Sequence, residues 1–139
     1  MRPRIPVRDD FAFWCEEKLR NADTDQFHHV NNAVIATFFE AGRMEVFGAS
    51  GVKVLMGTAS LAVVRLRMNF HRELFYPGQV SVGTTLTRVG ERSFDISQGL
   101  FDVRGCVASA EAVCVLLDPS LSGAQPIGEP LRQRLLNGG

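Results

Sequence analysis

Between Asn32 and Phe47 the chain carries only three charged residues, Glu40, Arg43 and Glu45, among residues that are nearly all Ala, Val, Ile, Phe, Met or Thr. Asn31 or Asn32 can cap the start of this segment, and Gly48 with Gly51 can end it, so a helix over 32–47 is predicted. A helix that is apolar on most sides cannot lie on a surface with one face in water; the rest of the chain must surround it. With 139 residues the chain fits one domain, residues 1–139, able to bury about two thirds of its surface.

The flanking sequence supplies the wrapping. Phe11, Phe13, Cys15 and Leu19 alternate with polar residues and predict a strand over about 11–20. After Gly57 the period is two. Ala62, Val64, Leu66, Met68 and Phe70 oppose Arg65, Arg67, Asn69 and His71 in a strand over about 59–73. Tyr76-Pro77-Gly78 makes a turn, and Val80, Val82, Thr84 and Leu86 begin the next strand. Past the Val89-Gly90-Glu91 hairpin, Phe94, Ile96 and Gln98 share a face. Gly99 marks an expected bulge, since Phe101 and Val103 continue with opposite parity. Arg104-Gly105 turns the chain into a closing strand over 106–118, whose Ala108, Ala110, Ala112 and Cys114 would let the helix approach closely. Residues 119–128 read as a loose tail and Pro130–Leu136 as a short helix. One strand, a buried helix and four antiparallel strands describe an α+β chain whose sheet curls around the helix, with a core over about 11–118 and a tail over 119–139. The flank of the helix left bare is best hidden by a second subunit.

Hydrophobic residues make up 45% and charged residues 22%, with a formal net charge of zero, which argues against nucleic acid as a partner. No apolar run is long enough for a membrane span, and the start, Met1 to Pro6, lacks the apolar core of a secretory signal. Cys15, Cys106 and Cys114 sit among apolar neighbours with no metal-type spacing, so free thiols in the cytoplasm and no metal are expected.

The entrance to the helix is where chemistry concentrates. Residues 22–32, Ala-Asp-Thr-Asp-Gln-Phe-His-His-Val-Asn-Asn, set carboxylates and amides beside the free N–H groups of a helix start. A carboxylate next to such donors can hydrolyse an ester or thioester.

Asp23-Thr24-Asp25, His29-Val30-Asn31-Asn32-Ala33 and Phe38-Phe39-Glu40-Ala41-x-Arg43 together resemble the signature of hotdog-fold thioesterases of the 4-hydroxybenzoyl-CoA thioesterase type. Val63-Val64-Arg65, Met68-Asn69-Phe70, Leu74-x-x-x-Gly78-x-Val80 and Arg88-Val89-Gly90-x-x-Ser93-Phe94 extend the resemblance over residues 11–118. It implies a hotdog fold, a curved antiparallel sheet of about five strands around one long helix. It also implies an acyl-CoA thioesterase that frees a small or medium acyl or aryl acid, with coenzyme A as part of the substrate and no cofactor. An acyl carrier protein thioesterase and a non-catalytic acyl-thioester binder are the alternatives. On this resemblance Asp25 is the catalytic nucleophile or base and the Asn32 N–H the oxyanion donor. His29 and Phe27 are substrate contacts, and Arg88 and Arg92 face the coenzyme A phosphates ahead of Arg65 and Arg67. Asp23 tethers the loop, and Glu40 pairs with Arg43. The family places glycine where this chain has His28, and glycine there would permit a left-handed backbone angle. The assembly implied is a homodimer or homotetramer.

Overall fold

The computed structural model describes residues 3–48, 50–120 and 123–136. Strand β1 (Phe13–Lys18) leads through a loop to helix α1 (Asn32–Phe47) and a shorter helix α2 (Ser50–Met56). Strands β2 (Ser60–Phe70), β3 (Gln79–Val89), β4 (Ser93–Asp102) and β5 (Gly105–Leu117) follow, then helix α3 (Glu129–Leu136). All pairings are antiparallel, in the order β1-β3-β4-β5-β2, so β2 forms one edge. This is the hotdog architecture: a curved five-stranded sheet with a helix packed in its concave face. Register shifts in β2, β3 and β5 mark the irregularities that help a sheet curl.

Helix α1 has the expected bounds. Asn31 caps it, its side chain accepting from Ala33 N–H at 2.8 Å. Gly48 ends it in a right-handed conformation, and the chain turns at once into α2, an element the sequence did not announce. Gly57, at φ 61°, terminates α2 where other residues would be strained.

Helix α1 lies over β1, β3 and β4. Its closest approach is made by its own Gly42 rather than by the alanines of β5, which are buried in both main core clusters. The bulge expected at Gly99 is absent from β4; the register shift there comes from β5, where Val107 is the extra residue between Cys106 and Ala108, opposite Phe101 and Leu100. Leu100 stays on the inner face, and Phe101 packs outside against Phe11 and Trp14. Gly99 and Gly83 have a different use: a Cβ on either would sit 2.7–2.8 Å from Phe101 or Phe11, so their bareness seats the Phe11 ring on the outer face. Val103, expected on a strand, is an exposed turn residue.

In β2 the inner row is also displaced. Val64 is an extra residue between Val63 and Arg65, so Leu61 and Val63, not Ala62 and Val64, share the inner face with Leu66, Met68 and Phe70. The segment after Pro119 is tied down where it is described: Gln125 N–H donates to Leu116, Ile127 N–H donates to Glu91, and Ile127, Leu131 and Leu135 join the second core cluster. The predicted Glu40–Arg43 pair does not form. Glu40 is exposed, while Arg43 is buried and donates from Nη1 to Gln98 Oε1 at 3.2 Å. The apolar helix surface around Arg43 draws its long stem inward, and Gln98 offers the nearest acceptor.

Candidate active site

The loop before α1 is closed by its own backbone. Asp25 N–H donates to His29 O at 2.8 Å, His28 N–H returns a bond to Asp25 O at 3.0 Å, and Thr24 bridges to Val30. Closing so short a loop forces His28 to φ 69°, the left-handed angle for which glycine is the usual choice. Asp23 anchors the other side. It is 2% exposed, its carboxylate accepts from Arg20 N–H and from the Arg20 guanidinium, and its carbonyl accepts from Asn31 N–H.

The loop presents Asp25 in a defined way. Its Oδ1 accepts from Phe27 N–H at 2.8 Å and from His29 N–H at 3.2 Å, which leaves Oδ2 without a partner among the described residues. Asn31 occupies the neighbouring donors: its side chain takes Ala33 N–H, and its carbonyl takes Val34 and Ile35 N–H. Asn32 N–H has no acceptor among the described residues. It is a free donor at the positive end of the α1 dipole.

Asp25, His29 and Asn32 line one cavity of about 330 Å³, together with Val30, Ile35 and the run Phe70 to Leu74. That run follows β2 and lies some forty positions away in sequence. It is brought in because Val30 N–H donates to Leu74 O at 2.8 Å and His29 bridges to Phe75. The His29 ring lies edge-on to Phe75, 5.1 Å between centroids, with Nε2 3.2 Å from Glu73 Oε2. Arg72 forks onto the Asp102 carboxylate and donates to Gly105 O, so it is already neutralised. His71 meets Ser109 Oγ at 2.8 Å, and burial pushes its pKa down, which keeps the imidazole neutral near pH 7. Sequence reasoning missed His71, Arg72 and Glu73. Their one signal was a cluster of polar residues closing a long alternating strand.

The other candidates lie elsewhere. Phe27 is 66% exposed and outside the cavity, contributing its N–H rather than its ring. Arg88 is paired with Asp95 at 3.1 Å, and Arg92 donates to Ala124 O; neither lines the cavity. Arg65 and Arg67 line a separate hollow of about 360 Å³ over the outer face of the sheet, where Arg67 pairs with Glu111. Burial pushes the thiols of Cys15, Cys106 and Cys114 up to about 11, so none supplies a thiolate near neutrality. Among the described residues no three His, Cys, Asp or Glu side chains are grouped to hold a metal.

A cleft with a carboxylate oxygen and an unpaired helix-start N–H is equipped for attack on a carbonyl. The model of the thioesterase superfamily matches residues 27–108, more than half of the sequence. The chain belongs to the thioesterase superfamily. It is a thioester hydrolase of the 4-hydroxybenzoyl-CoA thioesterase type. Solved structures share the thioesterase's fold. A predicted thioesterase from Bacillus stearothermophilus is 24% identical, covering 91% of this chain and 95% of its own, with a TM-score of 0.83. The PA5185 protein of Pseudomonas aeruginosa is 22% identical over 96% of both chains, with a TM-score of 0.85. A thioesterase from Thermus thermophilus, complexed with coenzyme A and Zn, is 24% identical over 92% and 94%, with a TM-score of 0.80. No curated protein sequence matches significantly. Among the described residues no helix is long and apolar enough to cross a membrane.

Proposed function

We propose that this thioesterase hydrolyses acyl-CoA thioesters, with Asp25 as nucleophile or general base and Asn32 N–H as the oxyanion donor. The observation that carries the reading is that a carboxylate oxygen and a helix-start amide, both without partners among the described residues, line the same cavity. The thioester carbonyl lies against Asn32 N–H, where the α1 dipole stabilises the charge that develops on its oxygen. Asp25, oriented through Oδ1 by two backbone amides, attacks with Oδ2 or uses it to take a proton from water. Coenzyme A is substrate and leaving group, and its thiolate departs without needing a metal.

His29 and Phe27 are the proposed loop contacts to substrate, and Arg88 and Arg92 the proposed phosphate contacts. Alanine at either arginine is expected to raise KM for a CoA thioester while sparing the N-acetylcysteamine thioester, which has no phosphates. The proposed assembly is at least a homodimer, supported by the long unpaired edge of β2 with Val63, Leu66 and Phe70 partly bare. Free thiols at all three cysteines fit a reducing cytoplasm.

The test is Asp25→Asn, measured on a panel from acetyl- to benzoyl-CoA. Turnover is expected to fall by roughly 10²–10⁴ with the thermal unfolding profile retained. Undiminished turnover removes Asp25 from the chemistry.

A further inference from the structure

We propose that the outer face of the sheet carries a second binding site, a polar trough that takes the phosphate of a small sugar phosphate on Arg65 and Arg67 and signals to the catalytic cavity through Ser109 and His71. Binding in the trough stands independently of the thioesterase reading; the signal to the cavity rests on it.

Strand register builds the trough. On β2, the outer residues Arg65, Arg67 and Asn69 stand opposite Val113, Glu111 and Ser109 of β5. Beyond these on β4 lie Asp95, Ser97 and Gly99. A row of long side chains therefore runs beside a floor of short ones, Ser97, Ser109 and Gly99. Two hollows, of about 360 Å³ and 530 Å³, share Arg67, Ser97 and Glu111 and so form one trough. Pro3, Arg4 and Pro6 roof the larger hollow. The roof is fastened at both ends: Arg4 forks onto Asp10, and the Arg8 guanidinium lies 5.5 Å from the Trp14 ring and 5.0 Å from that of Phe101.

Charge pairing across the strands leaves one cation over. Arg67 is bonded to Glu111 opposite it, and Arg88 to Asp95. Arg65 stands opposite Val113 and has no acceptor among the described residues. Arg67 meets Glu111 through Nη2 alone, which leaves its other nitrogens to donate. Two positions apart on one strand face, the two arginines have Cα atoms about 7 Å apart, close enough for both guanidiniums to grip one phosphate. Ser97 Oγ and the Asn69 amide are also without partners among the described residues, and with the Glu111 carboxylate they suit a hydroxylated body. No aromatic ring lines either hollow, so nothing there stacks on a nucleobase. At about 30 Å³ per water-sized group, the smaller hollow admits roughly twelve such groups, the size of a phosphorylated pentose.

The link to the cavity is a single hydrogen bond. Ser109 lines the trough, its Oγ lies 2.8 Å from His71 Nε2, and His71 lines the Asp25 cavity. Burial lowers the His71 pKa, so the ring is neutral and holds one proton. Ser109 has one O–H. A ligand oxygen that accepts it leaves Oγ able only to accept from His71, which fixes the ring proton on Nε2 and makes Nδ1 an acceptor.

Calorimetry on the whole chain with ribose 5-phosphate, AMP and inorganic phosphate tests the trough. Ribose 5-phosphate is expected to bind roughly tenfold tighter than phosphate, and Arg65→Gln to weaken it by roughly tenfold. Unchanged binding in Arg65→Gln overturns the site, and phosphate bound equally well reduces it to a surface that holds any anion. AMP bound more tightly than ribose 5-phosphate overturns the sugar phosphate class. Displacement by coenzyme A makes the trough part of the substrate site and overturns its independence. For the signal, saturating ribose 5-phosphate should change kcat/KM for butyryl-CoA about fivefold, and Ser109→Ala should abolish the change. No change in the wild type, or a change that survives Ser109→Ala, overturns the link. If the wild type cleaves no acyl-CoA, the hydrolase reading fails separately, and affinity for the thioether S-butyl-CoA decides the link. Ribose 5-phosphate should shift that affinity about fivefold, and no shift overturns the signal.

Discussion

His28 carries the chain through φ 69°, an angle that costs an ordinary side chain about 1–2 kcal/mol. Glycine removes that cost but adds about 0.5–1 kcal/mol of unfolded-chain freedom. His28→Gly is therefore expected to raise stability in urea by up to about 1 kcal/mol, whereas His28→Val, stiffer at the same angle, should lose more than that. Equal stability of all three would mean that the loop relaxes away from this angle. The residue was legible because it departs from a glycine position within a motif, and backbone sterics then say what the angle must be. That Asp25 and Asn32 would line one cavity was legible because they lie seven positions apart in one segment at the helix start. Glu73 and His71 were not. They reach the cavity through pairings made forty residues later, and nothing local in their types announces that.

At the level of elements, the helix–sheet contact turns on Gly42. A Cβ there would lie 2.6 Å from Val82 Cγ1, 2.8 Å from Gln98 Nε2 and 3.0 Å from Thr84 Oγ1. Alanine is the better helix former by about 1 kcal/mol, yet overpacking a core costs about 1–3 kcal/mol. Gly42→Ala is expected to come out destabilised in urea melts, and a stabilised variant would show that α1 can lift off β3 and β4. The same contact holds a polar chain: Gln98 Nε2 donates to Phe39 O at 2.8 Å and to Thr84 Oγ1 at 3.0 Å, while Gln98 Oε1 accepts from Arg43. Helix α1, all five strands and α3 were legible from period and caps. Arg43 was not, because its spacing from Glu40 suits an exposed pair equally well. The β2 bulge was hidden because Ala62, Val63 and Val64 are apolar in succession, so either parity reads the same.

For the molecule as a whole, the tie between the cavity and the far hairpin is Arg72 with Asp102. Its side-chain hydrogen bond from Arg72, joined by Arg104 N–H, holds the Asp102 carboxyl below its ordinary 3.8. The folded state thus binds a proton there less readily than the unfolded chain. The contact stabilises fully above about pH 4 and is lost as pH falls through the depressed folded value. Asp102→Asn should cost about 2 kcal/mol at pH 7 and flatten the loss of stability below pH 4. Chemical denaturation across pH 2–7 checks it, and curves parallel to wild type would contradict the role of the pair.

Val64 is a residue that the β5 ladder does not use: Val63 and Arg65 already sit opposite the consecutive residues Cys114 and Val113. Deleting that one valine would leave every rung in place and only straighten the strand. The bend would go, and with it part of the curl by which this edge of the sheet cups the helix.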